Sequence, residues 1–157
     1  MQDDDVKTYA PVAKATTMRV LLAMAAAKGL EVVHMDVKTA FLYAGLKERV
    51  FMCTPQGFTD DDEGCIWLLN KALYGLKQAP RAWHAEIDSS LKKLGFKPSS
   101  ADESLYVHLN GCYLLIYVDD LLLVGEKSKV DNIKKKLTSM YDMTDLGPVR
   151  RRCGSTR

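Results

Sequence analysis

Between Cys112 and Gly125 two apolar runs, C-Y-L-L-I-Y-V and L-L-L-V-G, are joined by the adjacent carboxylates Asp119 and Asp120. No stretch between them is long enough for a separate loop. The pattern predicts a tight β-hairpin with acid at its tip. The arms are too apolar for a sheet with one wet face, so both faces of the hairpin are expected to be covered. Two like charges beside buried strands cost several kcal/mol, roughly, unless something compensates them. A divalent cation does so, and hard oxygen ligands of this kind suit Mg²⁺, whose shell is completed by water and substrate phosphate. The competing reading is an ordinary hairpin with aspartates in its turn. A third carboxylate elsewhere would decide between them.

Asp36 is the candidate. It closes the stretch V-V-H-M-D-V, where β-branched Val32 and Val33 begin a predicted core strand. Taken alone it reads equally well as a strand-end residue.

The surrounding pattern is that of one domain. A chain of 157 residues can bury a sizeable core. The net charge of +2 is too small to argue for nucleic acid by itself, so any such argument must come from local patches. No apolar run is long enough for a bilayer span, since Val20 to Ala27 is closed by Lys28 and Gly29. The acidic start, M-Q-D-D-D, is unlike a secretory signal, and an intracellular protein is expected. Four scattered cysteines without a C-x-x-C pair read as free thiols rather than disulfides or zinc ligands.

A helix is predicted from about Thr17 to Lys28, with Thr16 or Thr17 as cap and Gly29 as stop. Thr39 to Leu46 reads as a helical turn or loop, and E-R-V-F-M-C-T-P as a strand ended by Pro55. Thr59 to Gly64 reads as a solvated acidic loop, and Cys65 to Leu69 as a further strand. Trp83, Ile87, Leu91 and Leu94 form one helical face that Gly95 ends. Ser104 to Leu109 is a strand candidate. Ser128 with Asp131 resembles a capping box for a helix striped by Val130, Ile133, Leu137 and Met140, with Lys134, Lys135 and Lys136 facing water. Tyr141 to Gly147 closes the pattern as a strand. The order predicts an α+β fold, an antiparallel sheet with helices packed on one face. His34, His84 and His108 form no ligand pattern and read as core or surface histidines.

Several long motifs occur in register: H-M-D-V-K-T-A-F (34–41), T-P-Q-G-F (54–58), L-N-K-A-L-Y-G-L-K-Q-A-P-R-A-W (69–83) and Y-V-D-D (117–120). On these the chain resembles the reverse transcriptase of copia-type (pseudoviral) long-terminal-repeat retrotransposons, from about Tyr9 to Gly147. The resemblance implies a polymerase palm with part of the fingers over residues 1–147, followed by a divergent basic tail at 148–157. It implies an RNA-directed DNA polymerase in which Asp36, Asp119 and, less directly, Asp120 bind two Mg²⁺ ions. Phe41 falls where an aromatic ring crowds the sugar 2′-position, although A-F-L also reads as a core anchor. Gly75 matches the glycine of the family's second motif, with Lys77, Gln78 and Arg81 beside it as substrate-side residues. Tyr74 departs from the Gln that distantly related retroviral enzymes carry before that glycine, so no nucleotide contact carries over there.

The implied partners are an RNA or DNA template-primer, deoxynucleoside triphosphates and the remainder of a Pol polyprotein, with no membrane. The implied location is the cytoplasm, in the family's virus-like particle, with the nucleus as a second compartment. Measured against the family pattern, the chain reads as a piece that lacks the upstream fingers segment, the primer-gripping strand, the thumb and the ribonuclease H domain. The alternative reading is therefore a catalytically inactive remnant, or a domesticated module that binds nucleic acid or protein.

Overall fold

The computed structural model describes residues 9–55, 57 and 65–149. The acidic N-terminal run, the Thr59 to Gly64 loop and the tail beyond Val149 lie outside the described residues. The chain divides into two compact units, residues 11–38 with 89–157 and residues 1–10 with 39–88.

The first unit holds an antiparallel six-stranded sheet of β1 (Glu31–Val37), β4 (Phe96–Pro98), β5 (Leu105–His108), β6 (Tyr113–Tyr117), β7 (Asp120–Gly125) and β8 (Met143–Pro148). The spatial order is β4-β5-β6-β7-β1-β8. The expected hairpin is β6 and β7, and the strand carrying Asp36 is β1, which pairs with β7. Only the short β4 has no counterpart in the sequence reading.

Alternation along β1 and β7 produces two rows of side chains. One row, with Val32, Leu122, Val124 and Leu115, is packed by Leu21 and Ala25 of α1 (Ala15–Lys28), joined by Met18 and Met24. The opposite row, with Val33, Met35, Leu121 and Leu123, is buried as well. There Gly125 brings the backbone close to α3 (Lys127–Met140). A Cβ on Gly125 would stand 3.3 Å from Val130 Cγ2 and 2.7 Å from Cys112 Sγ. Helices thus cover both faces, not one. The reason is the hairpin composition: with apolar side chains on both rows, neither face is suited to water.

Gly29 ends α1 in the left-handed conformation at φ 63°, as its position predicts. The start of α1 is built differently from the expectation. Neither Thr16 nor Thr17 is the cap residue, which is Lys14 and provides no side-chain cap. Asp102, far along the chain, does that work. Its Oδ2 accepts hydrogen bonds from the Lys14 backbone N–H (3.0 Å) and the Thr17 hydroxyl (2.6 Å), and its Oδ1 from the Ser104 N–H (3.0 Å). Burial pushes the Asp102 carboxyl up, but these bonds outweigh it and hold the group below its ordinary value of 3.8.

In α3 the expected capping box is absent, because the helix begins at Lys127 with Glu126 before it and Ser128 lies inside the first turn. Val130, Ile133 and Leu137 form the buried stripe, while Met140 is exposed. Lys134 is not merely solvated, since it is ion-paired with Asp145 of β8.

The second unit contains a short 3₁₀ turn (Ala40–Tyr43) and the strands β2 (Gly45–Cys53) and β3 (Ile66–Lys71), paired as a two-stranded ribbon. It also holds the first turns of α2 (Ala79–Lys93), whose residues from Ser89 onward count with the first unit. Trp83, Ile87 and Leu91 are buried, as the helical stripe predicts. Near the end of α2, Ser90 Oγ is bonded to Tyr141 Oη at 2.6 Å.

Candidate active site at the hairpin tip

The tip is a two-residue turn. Tyr117 pairs with Asp120, leaving Val118 and Asp119 as the central residues. Val118 has φ 58°. A positive φ at the first central position suits the right-handed twist of a hairpin and normally calls for glycine. In a β-branched residue it is a strained conformation.

The same ladder aligns the acids. Asp36 is directly opposite Asp120 across β1 and β7, so both project from one face. Asp119 is tied to the end of β1 through its backbone, since its carbonyl accepts the Val37 N–H at 3.0 Å. Asp36 and Asp120 are half-buried. The three predicted carboxylate residues therefore gather around the β1 end and the hairpin turn. The direct neighbour of Asp36 is Asp120, whereas the resemblance gives Asp119 the firmer metal role.

Thr144 of β8 lies on the other side of Asp36. His34, two residues before Asp36, shares its face, and its Nε2 is 2.6 Å from Asp120 Oδ1. The sequence reading gives His34 no role: period-two alternation along β1 puts residues 34 and 36 on one side, but only the register of β1 against β7 brings His34 to Asp120. His108 fits the structural reading: Nε2 bonds the Leu94 carbonyl and Nδ1 accepts the Asn110 N–H.

Among the described residues, no group of three His, Cys, Asp or Glu side chains forms a metal cage. The arrangement is instead a cross-strand carboxylate pair with a third acid in the adjoining turn. Mg²⁺ is compatible with such an open set, because it is held by one or two carboxylates and takes its remaining ligands from water and phosphate. Facing like charges are themselves unfavourable, and a cation relieves that repulsion.

The remaining predicted site residues belong to the second unit. Phe41 is buried there, with its ring 4.3 Å from that of Tyr74. Gly75 has φ 97° and open space where a Cβ would stand, so its backbone conformation, rather than crowding, calls for glycine. Lys77 is exposed ahead of α2. Gln78 and Arg81 line a recess of about 390 Å³ with Lys47, Glu48 and Glu86, and Arg81 Nη1 is 4.0 Å from Glu48 Oε1. The recess carries both signs of charge.

No helix among the described residues is long and apolar enough to cross a membrane. No solved structure matches the fold. A family model described as "Reverse transcriptase (RNA-dependent DNA polymerase)" matches residues 1–155. The chain is 41% identical over 152 residues to the retrovirus-related Pol polyprotein from transposon TNT 1-94 of Nicotiana tabacum, a match covering 93% of this chain and 11% of the relative. It is 39% identical to the Pol polyprotein from transposon RE1 of Arabidopsis thaliana, covering 90% of this chain and 10% of that one. Against the Ty1-BL Gag-Pol polyprotein of Saccharomyces cerevisiae the identity is 27%, over 90% of this chain and 8% of the relative. The chain thus spans about a tenth of the length of these polyproteins. With a hairpin of this sequence and geometry and a family match over nearly its whole length, the chain belongs to the reverse transcriptase (RNA-dependent DNA polymerase) family, as a domain of the retrotransposon Pol type.

Proposed function

We propose that the chain carries the nucleotidyl-transfer centre of an RNA-directed DNA polymerase, with Asp36, Asp119 and Asp120 as its metal-binding acids. The observation that carries the reading is the register in which Asp36 faces Asp120 beside the Asp119 turn. In this reading the six-stranded unit is the palm and the ribbon unit is part of the fingers. Residues 1–147 form the polymerase portion and 148–157 a separate tail.

The carboxylates would hold two Mg²⁺ ions, which when bound stabilise the attacking 3′-oxygen and the leaving pyrophosphate. The protein's own share is orientation. The two-residue turn fixes Asp119 and Asp120 relative to Asp36, and the buried rows beneath them keep the strands from shifting. Phe41 is assigned to the sugar of the incoming deoxynucleotide. Gly75, Lys77, Gln78 and Arg81 are assigned to template or nucleotide. Template-primer and deoxynucleoside triphosphates are the substrates, the remainder of the polyprotein is the partner, and the cytoplasmic particle is the setting.

Primer extension on an RNA template with Mg²⁺ tests this reading. Incorporation by the chain that is lost in both Asp36→Asn and Asp119→Asn supports it. If the chain and both variants incorporate nothing, even when the rest of the polyprotein is supplied, the alternative of a non-catalytic binding module takes over.

A further inference from the structure

His34 and Asp120 are diagonal neighbours on β1 and β7, since Asp36 is the residue directly opposite Asp120. An ionised carboxylate only accepts hydrogen bonds, so the 2.6 Å contact requires the imidazole Nε2 to carry a proton and donate it to Oδ1. The two side chains are 38% and 42% exposed. They lie at the polar edge of a recess of about 310 Å³ lined by Met18, Leu22, Leu115 and Leu122. Apolar walls on one side limit the competition from water for this bond.

A carboxylate in front of another carboxylate would otherwise rotate to lower the repulsion. The bond to His34 fixes the rotation of Asp120, commits one oxygen and leaves the other for a cation. We propose that His34 is a positioning residue that orients Asp120 for divalent-metal binding at the Asp36 and Asp120 pair. The inference rests on the metal-binding reading of those acids and adds a residue outside the acidic set. Hydrogen-bond partners of metal ligands typically contribute about 10- to 100-fold in metal affinity.

The test is Mn²⁺ binding to the full chain at one fixed pH, read from the electron paramagnetic resonance signal of free Mn²⁺, with no nucleic acid present. Asp36→Asn should abolish binding. His34→Leu should weaken it by about 10-fold or more. His34→Gln, whose amide reaches as far and donates, should stay close to the wild type. His34→Asn, too short to reach, should behave like the Leu variant and replaces it if that variant fails to fold. Wild-type affinity in His34→Leu or His34→Asn, with binding still lost in Asp36→Asn, overturns the role of His34 and leaves the metal reading intact. A Gln variant as weak as the Leu variant also overturns it. No Mn²⁺ binding by the wild type, or unchanged binding in Asp36→Asn, overturns the metal reading and this inference with it.

Discussion

The six-stranded sheet and the β2–β3 ribbon are made of similarly apolar strands in opposite circumstances. In the sheet, Met35, Leu114, Leu121 and Leu123 are fully buried, and each face has its helix. In the ribbon, Phe51 faces Leu68 and Cys53 faces Ile66 on one row, yet Phe51, Leu68 and Ile66 are at least half exposed. The other row, Val50 with Leu69 and Met52 with Trp67, is only half-buried. Apolar composition therefore marks where a strand can be buried, while the presence of a second layer decides whether it is. A two-stranded ribbon alone is marginal in water, and local opening should start there.

The largest expected effect tests that contrast directly. Leu123→Ala should cost about 2–5 kcal/mol in urea denaturation, whereas Leu68→Ala should stay within about 0.5 kcal/mol. Equal costs would mean that the ribbon is as well packed as the sheet, and the contrast would fail.

Asp102→Ala removes the cap that reaches α1 from another part of the first unit and should cost about 1 kcal/mol at neutral pH. Folding holds the Asp102 carboxyl below 3.8, so its contribution is complete above that value and is lost as the pH falls through the folded-state value. The gap between wild type and variant should therefore close in acid. A gap that is constant with pH would deny the carboxylate its capping role.

Val118→Gly sharpens the picture by separating strands from turn. Relief of a strained backbone, of order 1–3 kcal/mol, exceeds the entropic cost of glycine, roughly 0.5–1 kcal/mol. A modest gain in urea midpoint is expected, and a loss would show that the turn carries no strain. Smallest is Asp36→Asn. Removing one of two facing charges should stabilise the metal-free chain by about 0.2–1 kcal/mol, while primer extension is lost. Destabilisation instead would mean that the pair is not repulsive.

Much of the sheet was legible because its signals are local. The hairpin, the Asp36 strand and the Gly29 stop each follow from a few adjacent residues, and the α2 stripe follows from one helical period. What was missed depends on contacts between distant segments. Thr16 and Thr17 were eligible caps by type, but Asp102 arrives from the loop before β5 and takes the position. Ser128 matched a capping pattern but stands two residues past the cap position, which Glu126 holds. The two-sided cover follows from the apolar arms of the hairpin, whereas the element order alone points to helices on one face and carries no signal for the second layer. At the site, the acids were readable from their motifs. The His34 contact was not, because it needs the register of β1 against β7.

The close approach at Gly125 has a practical corollary for the thiol beside it. Cys112 is fully buried, with its sulfur packed where a glycine side chain would be and Val130 just beyond. A maleimide cannot reach that sulfur without the sheet parting from α3, whereas Cys53 and Cys65 stand in the open. Alkylation at Cys112 would thus count openings of the sheet one molecule at a time, with Cys53 and Cys65 reporting the reagent's own speed.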